Sequence, residues 1–471
     1  VIIGAECLGS AEFKKDYGLR YAYLAGAMYK GIASRKLVVA MSQGGLMGFF
    51  GTGGCSFAAI EEALHGIKAD VRGQPYGMNL LCDLEQPAAE ERIVELFLKE
   101  GVPCIEAAAF LRMTPALVRW RLSGIRRGPD GRVLRPRRTL AKVSRPEVAN
   151  AFMQPAPEQI VKDLLAAGKI TAAEAELSQS LPMADDICVE ADSGGHTDQG
   201  VAIVLLPIVM RLRDAMLAKH RYDKNIHVGL AGGIGAPEAA AAAFVMGADF
   251  ILTGSINQCT VEAGTSDSVK DLLQQLEVQD TEYAPAGDMF EIGARVQVAK
   301  RGLFFPARAN KLYDLYKRHN SLDEIDLRTR QQIQERYFRC SFDEAWEETR
   351  AYYQRSHPAK LADIEASPRL KMTAIFKWYF VHSTRLAMRG VEDRKVDYQI
   401  HCGPALGAFN QWVKGTELES WRQRRVADIA HRLMTATASV MDERYRALTR
   451  APGGVIAHAD PAIAVNEDVL G

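Results

Sequence analysis

The chain has 471 residues, of which 48% are hydrophobic and 25% charged. This is globular composition for two or three domains, and it excludes a disordered chain, a collagen and a coiled-coil rod. Basic and acidic residues balance at 58 each, so no net field draws the molecule to nucleic acid or anionic lipid.

Short apolar runs alternate with longer helical patterns through the first two-thirds of the chain. Strands are predicted at Tyr21–Ala25, Leu46–Phe50, Tyr76–Leu81, Pro103–Ala107, Thr139–Val143, Ile187–Glu190, His227–Leu230 and Phe250–Leu252. Helices are predicted at Ser34–Ser42, Ser56–His65, Pro87–Lys99, Pro115–Leu122, Gly200–Lys219 and Pro237–Met246. Eight strands, most with a helix behind them, predict an α/β fold of the (β/α)8 TIM-barrel type. A doubly wound open sheet is the alternative. The turn Gly128-Pro129-Asp130-Gly131 predicts a hairpin, and residues of about 150–185 a helical insertion, with Thr171 and Glu174 at capping-box spacing. After about residue 285 the alternation stops. Capping boxes at Ser321/Glu324 and Ser341/Glu344 and helical patterns at Asp343–Arg355, Pro368–Met388 and Trp421–Arg450 predict a helical C-terminal region. The expected organisation is a barrel over residues 1–285 and a mainly helical region over 286–471.

The longest apolar run, Val201–Met210, has ten residues and contains Pro207, too short to cross a bilayer. Val1–Gly4 shows no basic flank and long apolar run of a secretion signal. The eight cysteines form no C-x-x-C pair, so no metal site is expected, and reduced thiols in a cytoplasmic protein are. Residues 111–146 hold eleven Arg or Lys against the single acid Asp130. This run is a solvated face or a contact for an acidic carrier protein or a cofactor phosphate.

In a barrel, chemistry gathers where strands end at their C-termini. Leu230-Ala231-Gly232-Gly233-Ile234-Gly235 closes one predicted strand, and Leu252-Thr253-Gly254-Ser255 the next. Paired glycine turns let backbone N–H groups approach a phosphate. The run Glu190-Ala191-Asp192-Ser193-Gly194-Gly195-His196 follows an apolar strand. Its glycines allow close approach of a flat ligand, and His196 suits proton transfer near neutral pH. Asn79 could bond a heterocycle from its strand end. Lys142 is a charge inside an apolar strand, so it must meet an anion or a polarised oxygen.

These stretches are similar to the PfaD-like enoyl reductases. Those act in trans on polyunsaturated fatty acid synthases and trans-acyltransferase polyketide synthases, within the wider nitronate monooxygenase (2-nitropropane dioxygenase) group of flavin barrels. Shared stretches are Arg20 through Met28, Glu190 through Asp198, and Gly254-Ser255-Ile256-Asn257-Gln258. Ala284 through Glu291, Asp397 through Ala405, and Gly407-Ala408-Phe409-Asn410 mark the reductase-like branch. The resemblance implies FMN as prosthetic group, NADPH as hydride donor and an acyl carrier protein as partner; a homodimer is the default assembly. It implies that Gly26, Ala27, Met28 and Asn79 lie along the flavin ring. Gly194 and Gly195 would lie near its reactive side. Ala231, Gly232, Gly233, Gly254 and Ser255 would cradle its phosphate. His196 matches the proton-transferring histidine of the nitronate monooxygenases; the α-carbon's proton is expected from His196 or from water, and Lys142, a cofactor contact as well, and backbone N–H groups near Gly195 are the candidates to polarise the thioester. Rival readings are a nitronate-type flavin oxidase and a non-catalytic protein docking on a synthase.

Overall fold

The computed structural model describes residues 3–449. Eight parallel strands close into a barrel: Tyr23–Ala25, Met47–Phe50, Gly77–Leu81, Cys104–Ala108, Arg138–Val143, Asp186–Glu190, His227–Ala231 and Ile251–Thr253. Leu24 of the first strand pairs with Met47 of the second and Leu252 of the eighth, so the sheet has no open edge. Closure rules out the doubly wound alternative. The strands read as unbroken apolar runs because one face looks into the barrel and the other onto helices. Every residue of Cys104–Ala108 and of His227–Ala231 is buried.

The helices start where side chains answer the free N–H groups of the first turn. Ser34 accepts from the Leu37 N–H and Ser56 from the Ala59 N–H, both at 3.2 Å. Pro87, Pro115 and Pro237 occupy first turns, where no N–H is missed. The predicted hairpin forms, Arg126–Arg127 pairing antiparallel with Val133–Leu134. Helices Pro146–Met153, Glu158–Ala166 and Ala172–Leu177 make the insertion, and the Thr171/Glu174 capping box opens the last of them.

One capping expectation fails. Ser321/Glu324 starts no helix, because Glu324 accepts from the Asn320 N–H instead. Asp326 caps the next helix, Leu327–Gln332, by accepting from the Thr329 N–H at 2.9 Å. The box at Ser341/Glu344 forms as expected. The predicted helix Trp421–Arg450 runs from Val426 to Thr449, and Arg450 itself lies outside the described residues.

The basic run of 111–146 is mostly paired within the fold. Arg121 and Arg135 meet Asp185 at 2.6 and 2.8 Å, and Arg138 meets Asp16 at 2.7 Å. Arg119 binds Glu91 and Glu95, and Arg145 binds Asp198 at 3.2 Å. Arg112, Arg126, Arg127 and Arg137 have no ion pair among the described residues, and Arg126 and Arg127 are exposed.

Beyond the barrel, a second core gathers Phe305, Phe338, Tyr379 and Phe380 from helices Phe305–Arg318, Pro368–Arg389 and the turns between. Phe338 stacks on Tyr379 at 5.8 Å, with 4° between the rings. The fully buried Asp397 takes Arg308, Arg394 and the Tyr379 hydroxyl. A small sheet joins the two cores. Thr281–Pro285 and Arg295–Ala299 form an antiparallel pair, and Arg295–Ala299 also pairs with the two-residue strand Gly195–His196. The chain then returns to the barrel. Helices Ala405–Trp412 and Val426–Thr449 bury Leu406, Phe409, Ile429 and Leu433 in the first core.

Candidate active site

The sequence-predicted site residues lie at one mouth of the barrel, where its strands end. Asn79 and Glu106 sit side by side in register on the third and fourth strands. The Asn79 amide donates to the Glu106 main-chain oxygen at 3.0 Å, and the Thr52 hydroxyl donates to the Asn79 main-chain oxygen at 3.0 Å. Gly26 bonds the eighth strand, its N–H donating to Thr253 O at 2.9 Å. A side chain there would fall 2.5 Å from Leu252 Cδ2 and 3.4 Å from Glu106 Oε1, so glycine keeps that space clear. The Ala27 N–H donates to Glu106 Oε2 at 3.1 Å. Met28 follows, its main chain held against Gly51, where any Cβ would lie 1.7 Å from Met28 O.

Glu106 is fully buried, and its Oε1 has no hydrogen-bond partner. An orphaned buried oxygen costs about 1–3 kcal/mol, so it points to a missing donor. Burial pushes this carboxyl up, with Lys142 opposing. Lys142 meets the anion its place in an apolar strand demands: Glu190 lies 3.2 Å from its Nζ. Burial works against the ammonium, but Glu190 and then Glu106 outweigh it, so Lys142 titrates above an ordinary lysine.

The glycine turns form the opposite side of the mouth. Ala231 ends its strand, its carbonyl accepting from the Ala191 N–H at 2.9 Å. Gly232 and Gly233 take left-handed φ values of 88° and 76°. A Cβ on Gly232 would lie 2.6 Å from Ala191 O, whereas Gly233 and Gly254 face open space. Ser255 Oγ accepts from the Gly403 N–H at 3.0 Å. A Cβ on Gly235 would meet Ala405 O at 1.8 Å, so helix Ala405–Trp412 begins directly on this loop. Gly194 also packs closely on Cys402 and Gly403, at 2.8 Å from a would-be Cβ. The returning chain thus completes the cradle that the two turns begin.

Two histidines flank the strand Arg295–Ala299. His196 pairs in register with Val296 and His401 with Val298. His196 is half-exposed, and its Nε2 bonds Asp288 Oδ1 at 2.9 Å. Burial opposes its charged form, but the bond and charge of Asp288 outweigh that and raise its pKa. Burial, and then the positive charge of His196, push His401 down to about 4. The Gln399 amide lies 2.9 Å from His401 Nε2. With Gln399 donating, the neutral ring carries its proton on Nδ1. That atom lies 3.7 Å from where a Cβ on Gly195 would stand. Environments that push two similar groups apart separate acid from neutral donor.

Glu106, Asp288, His401 and Gly403 were given no role from the sequence. Glu106 carried the signal that exposed Lys142, a charge within an apolar strand. The other three sit in the family-like stretches but reach the barrel only through the fold. Among the described residues no group of three or more His, Cys, Asp or Glu could hold a metal, and no helix is long and apolar enough to cross a membrane.

Residues 12–300 match the nitronate monooxygenase family. The chain belongs to that family. Within it the chain is a PfaD-like member of the enoyl-reductase type. It is 57% identical to the polyketide biosynthesis protein PksE of Bacillus subtilis, over 95% of this chain and 58% of that one. It is 42% identical to a polyunsaturated fatty acid synthase polypeptide of Thraustochytrium sp., over 88% of this chain and 28% of that one. The chain therefore spans 58% or less of these relatives' own length. The solved enoyl reductase domain of MlnA, from the macrolactin biosynthesis cluster of Bacillus amyloliquefaciens, superposes with a TM-score of 0.91 at 45% identity, over 94% of this chain and 99% of that one. Residues 319–398 of this PfaD-like chain match the inserted helical domain of acyl-carrier-protein S-malonyltransferase.

Proposed function

We propose that the protein is a trans-acting, FMN-dependent enoyl reductase. It uses NADPH to reduce the α,β-double bond of an enoyl thioester held by an acyl carrier protein, in polyketide or polyunsaturated fatty acid synthesis. The observation that carries this reading is a cradle built but incomplete. Glu106 Oε1 is buried without a partner, while Gly233 and Gly254 open onto free space beside Ser255. A ring with N–H donors and a phosphate tail fits that pairing of an acceptor with backbone donors. The barrel of 1–285 holds the cofactor, and the region of 286–471 serves the carrier-borne chain.

Gly26, Ala27, Met28 and Asn79 would hold the ring of FMN and Gly232, Gly233, Gly254 and Ser255 its phosphate, and the bound flavin would supply a two-electron relay between NADPH and the β-carbon. One hydride and one proton add across the double bond, and NADPH leaves as NADP+. Asp288 favours the imidazolium form of His196 against the opposing effect of burial. With Nε2–H given to Asp288, Nδ1–H of His196 is the proton for the α-carbon. His401, neutral, offers Nδ1–H to the thioester oxygen, where negative charge grows. Lys142 holds the carboxylates Glu190 and Glu106 in place and adds positive potential at the mouth.

The test is spectroscopic and then kinetic. Purified protein should be yellow, and NADPH without air should bleach it. A crotonyl group on carrier protein should restore the colour at a rate matching turnover. Colourless protein that gains no activity from added FMN ends this reading. Oxygen uptake with alkyl nitronates and no NADPH requirement would favour the oxidase instead.

A further inference from the structure

The loop after the sixth strand, residues 191–200, carries Gly194, Gly195 and His196. Its residues are mostly polar or glycine, so apolar packing alone does not set its shape. One carboxylate, that of Asp192, does much of this instead. Its Oδ1 accepts from the Thr197 hydroxyl at 2.7 Å, and its Oδ2 accepts from the Tyr283 hydroxyl at 2.5 Å. The main chain closes the same ring, the Asp192 N–H donating to Gly200 O at 2.8 Å. Thr197 Oγ1 in turn accepts from the Gln199 N–H at 2.9 Å, and Gln199 holds a left-handed backbone with φ 57°. Such a conformation in a residue other than glycine persists only where its surroundings hold it, and it gathers at functional loops.

Tyr283 reaches Asp192 from the joining sheet, 91 positions along the chain. Its own main chain is held from the far side. The Tyr283 carbonyl accepts from the Asn310 amide at 2.9 Å and from Arg295 at 3.2 Å, so helix Phe305–Arg318 fixes the place from which the ring extends. Burial, and then the bond to Asp192, push the phenol up to about 12, so it stays a donor at neutral pH. Asp192 also touches the cradle. A Cβ on Gly232 would lie 2.9 Å from Asp192 O. Asp192 thus stands between the Gly232 turn and the histidine loop, and its carboxylate is tied to a third element of the fold.

We propose that Asp192 and Tyr283 are positioning residues, whose bond holds the Gly194-Gly195-His196 loop in register with the Gly232 turn. The inference rests on the enoyl reductase reading and adds to it two residues that touch neither substrate nor cofactor. Reduction by NADPH needs only the cradle. Protonation of the α-carbon also needs His196 within reach. A loosened loop therefore slows the second half of the cycle and spares the first, because a small misplacement of a proton donor is costly.

The experiment splits the cycle by stopped flow in wild type, Tyr283→Phe, Asp192→Ala and the double variant. Tyr283→Phe removes one hydroxyl and keeps the ring, so melting temperature and flavin content per chain should hold. The rate of bleaching by NADPH without air should hold too. The rate of colour return with crotonyl-carrier protein should fall about tenfold or more, the scale of one bond to a carboxylate. Asp192→Ala should fall further, because it also frees Thr197. The double variant should be no slower than Asp192→Ala, since the two side chains act through one bond. Equal slowing of both halves, or losses that multiply in the double variant, overturns the assignment. Hydrogen exchange reads the same loop without turnover. In Tyr283→Phe the amides of residues 192–199 should exchange faster, while those of strand His227–Ala231 should not change. A loop whose exchange is unaltered also overturns the assignment. Failure of enoyl reduction in wild type would count against the function, and a loop indifferent to the lost hydroxyl against this clamp.

Discussion

The two mouths of the barrel use the same chemistry to opposite ends. At the N-terminal mouth each buried acid is answered. Asp185 takes Arg121, Arg135 and the Thr139 N–H. Asp186 takes the Tyr17 hydroxyl and His227, and Asp16 takes Arg138 and Lys224. His227 Nε2 is left over there, with Glu12 4.0 Å away. At the C-terminal mouth Lys142 stands between two carboxylates, Glu106 keeps a bare oxygen, and two glycines open onto space. The first arrangement answers every one of these acids and leaves a single ring nitrogen over. The second leaves polar groups incomplete and so holds a binding potential. Barrels place stability at one end and chemistry at the other.

The largest expected effect is therefore at the end with no chemistry. Asp185→Ala strands Arg121, which is 1% exposed, and Arg135 beside it. Breaking a buried pair by removing one partner costs about 3–5 kcal/mol. Thermal denaturation should show a fall of about 3–5 °C. A fall of only a degree or two would mean that the lower mouth is not what closes the barrel. At the upper mouth, His196→Ala removes a half-exposed side chain, so the melting temperature should hold. Enoyl reduction should nonetheless fall about a hundredfold, the usual scale of a positioned proton donor. Full activity in that variant strips His196 of its role.

Glu106→Gln tests the contrast within one residue. The folded carboxyl titrates above its unfolded value because burial penalises its charge. Wild-type stability from this group is thus full at low pH and is lost as pH rises through the folded pKa. The amide has no such charge, so the variant should match or exceed wild type at neutral pH, by about 1 kcal/mol, and lose that pH dependence. Its flavin content per folded chain should drop. A variant that unfolds more easily yet keeps its flavin would reverse the reading of Glu106.

The barrel was legible in the sequence because each strand is a short apolar run bounded by glycine, proline or charge. All eight expected strands form, with ends shifted by at most two residues. The mouth was legible where the chain carries it locally, as in Gly232-Gly233, Gly254-Ser255 and Gly194-Gly195-His196. It was not legible where distant segments meet. Asp288 reaches His196 across 92 positions, and Gly403 reaches Ser255 across 148. Thr281–Pro285 and Arg295–Ala299 pair across a long loop and present a mixed pattern, so the joining sheet carried no strand signal of its own. Without that sheet, nothing in the sequence places His401 beside Gly195.

The finest test of the comparison is Asp288→Asn. In wild type, burial disfavours the His196 imidazolium, and Asp288 more than compensates, so the ring stays protonated above the ordinary histidine value. The rate that depends on this proton should be full at lower pH and fall as pH rises through the raised pKa. Asparagine keeps a bonding partner at the same place but no charge. The falling limb of kcat/KM against pH should then move to lower pH, with a loss of about tenfold or less above the limb and little below it. The Asp185→Asn change at the lower mouth removes the same charge from the contacts with Arg121 and Arg135, so it should lower the melting temperature and leave that limb where it was. If both variants shifted the limb alike, the effect would belong to the charge of the whole barrel. If only Asp288→Asn shifts it, the upper mouth sets the proton's affinity by one local contact.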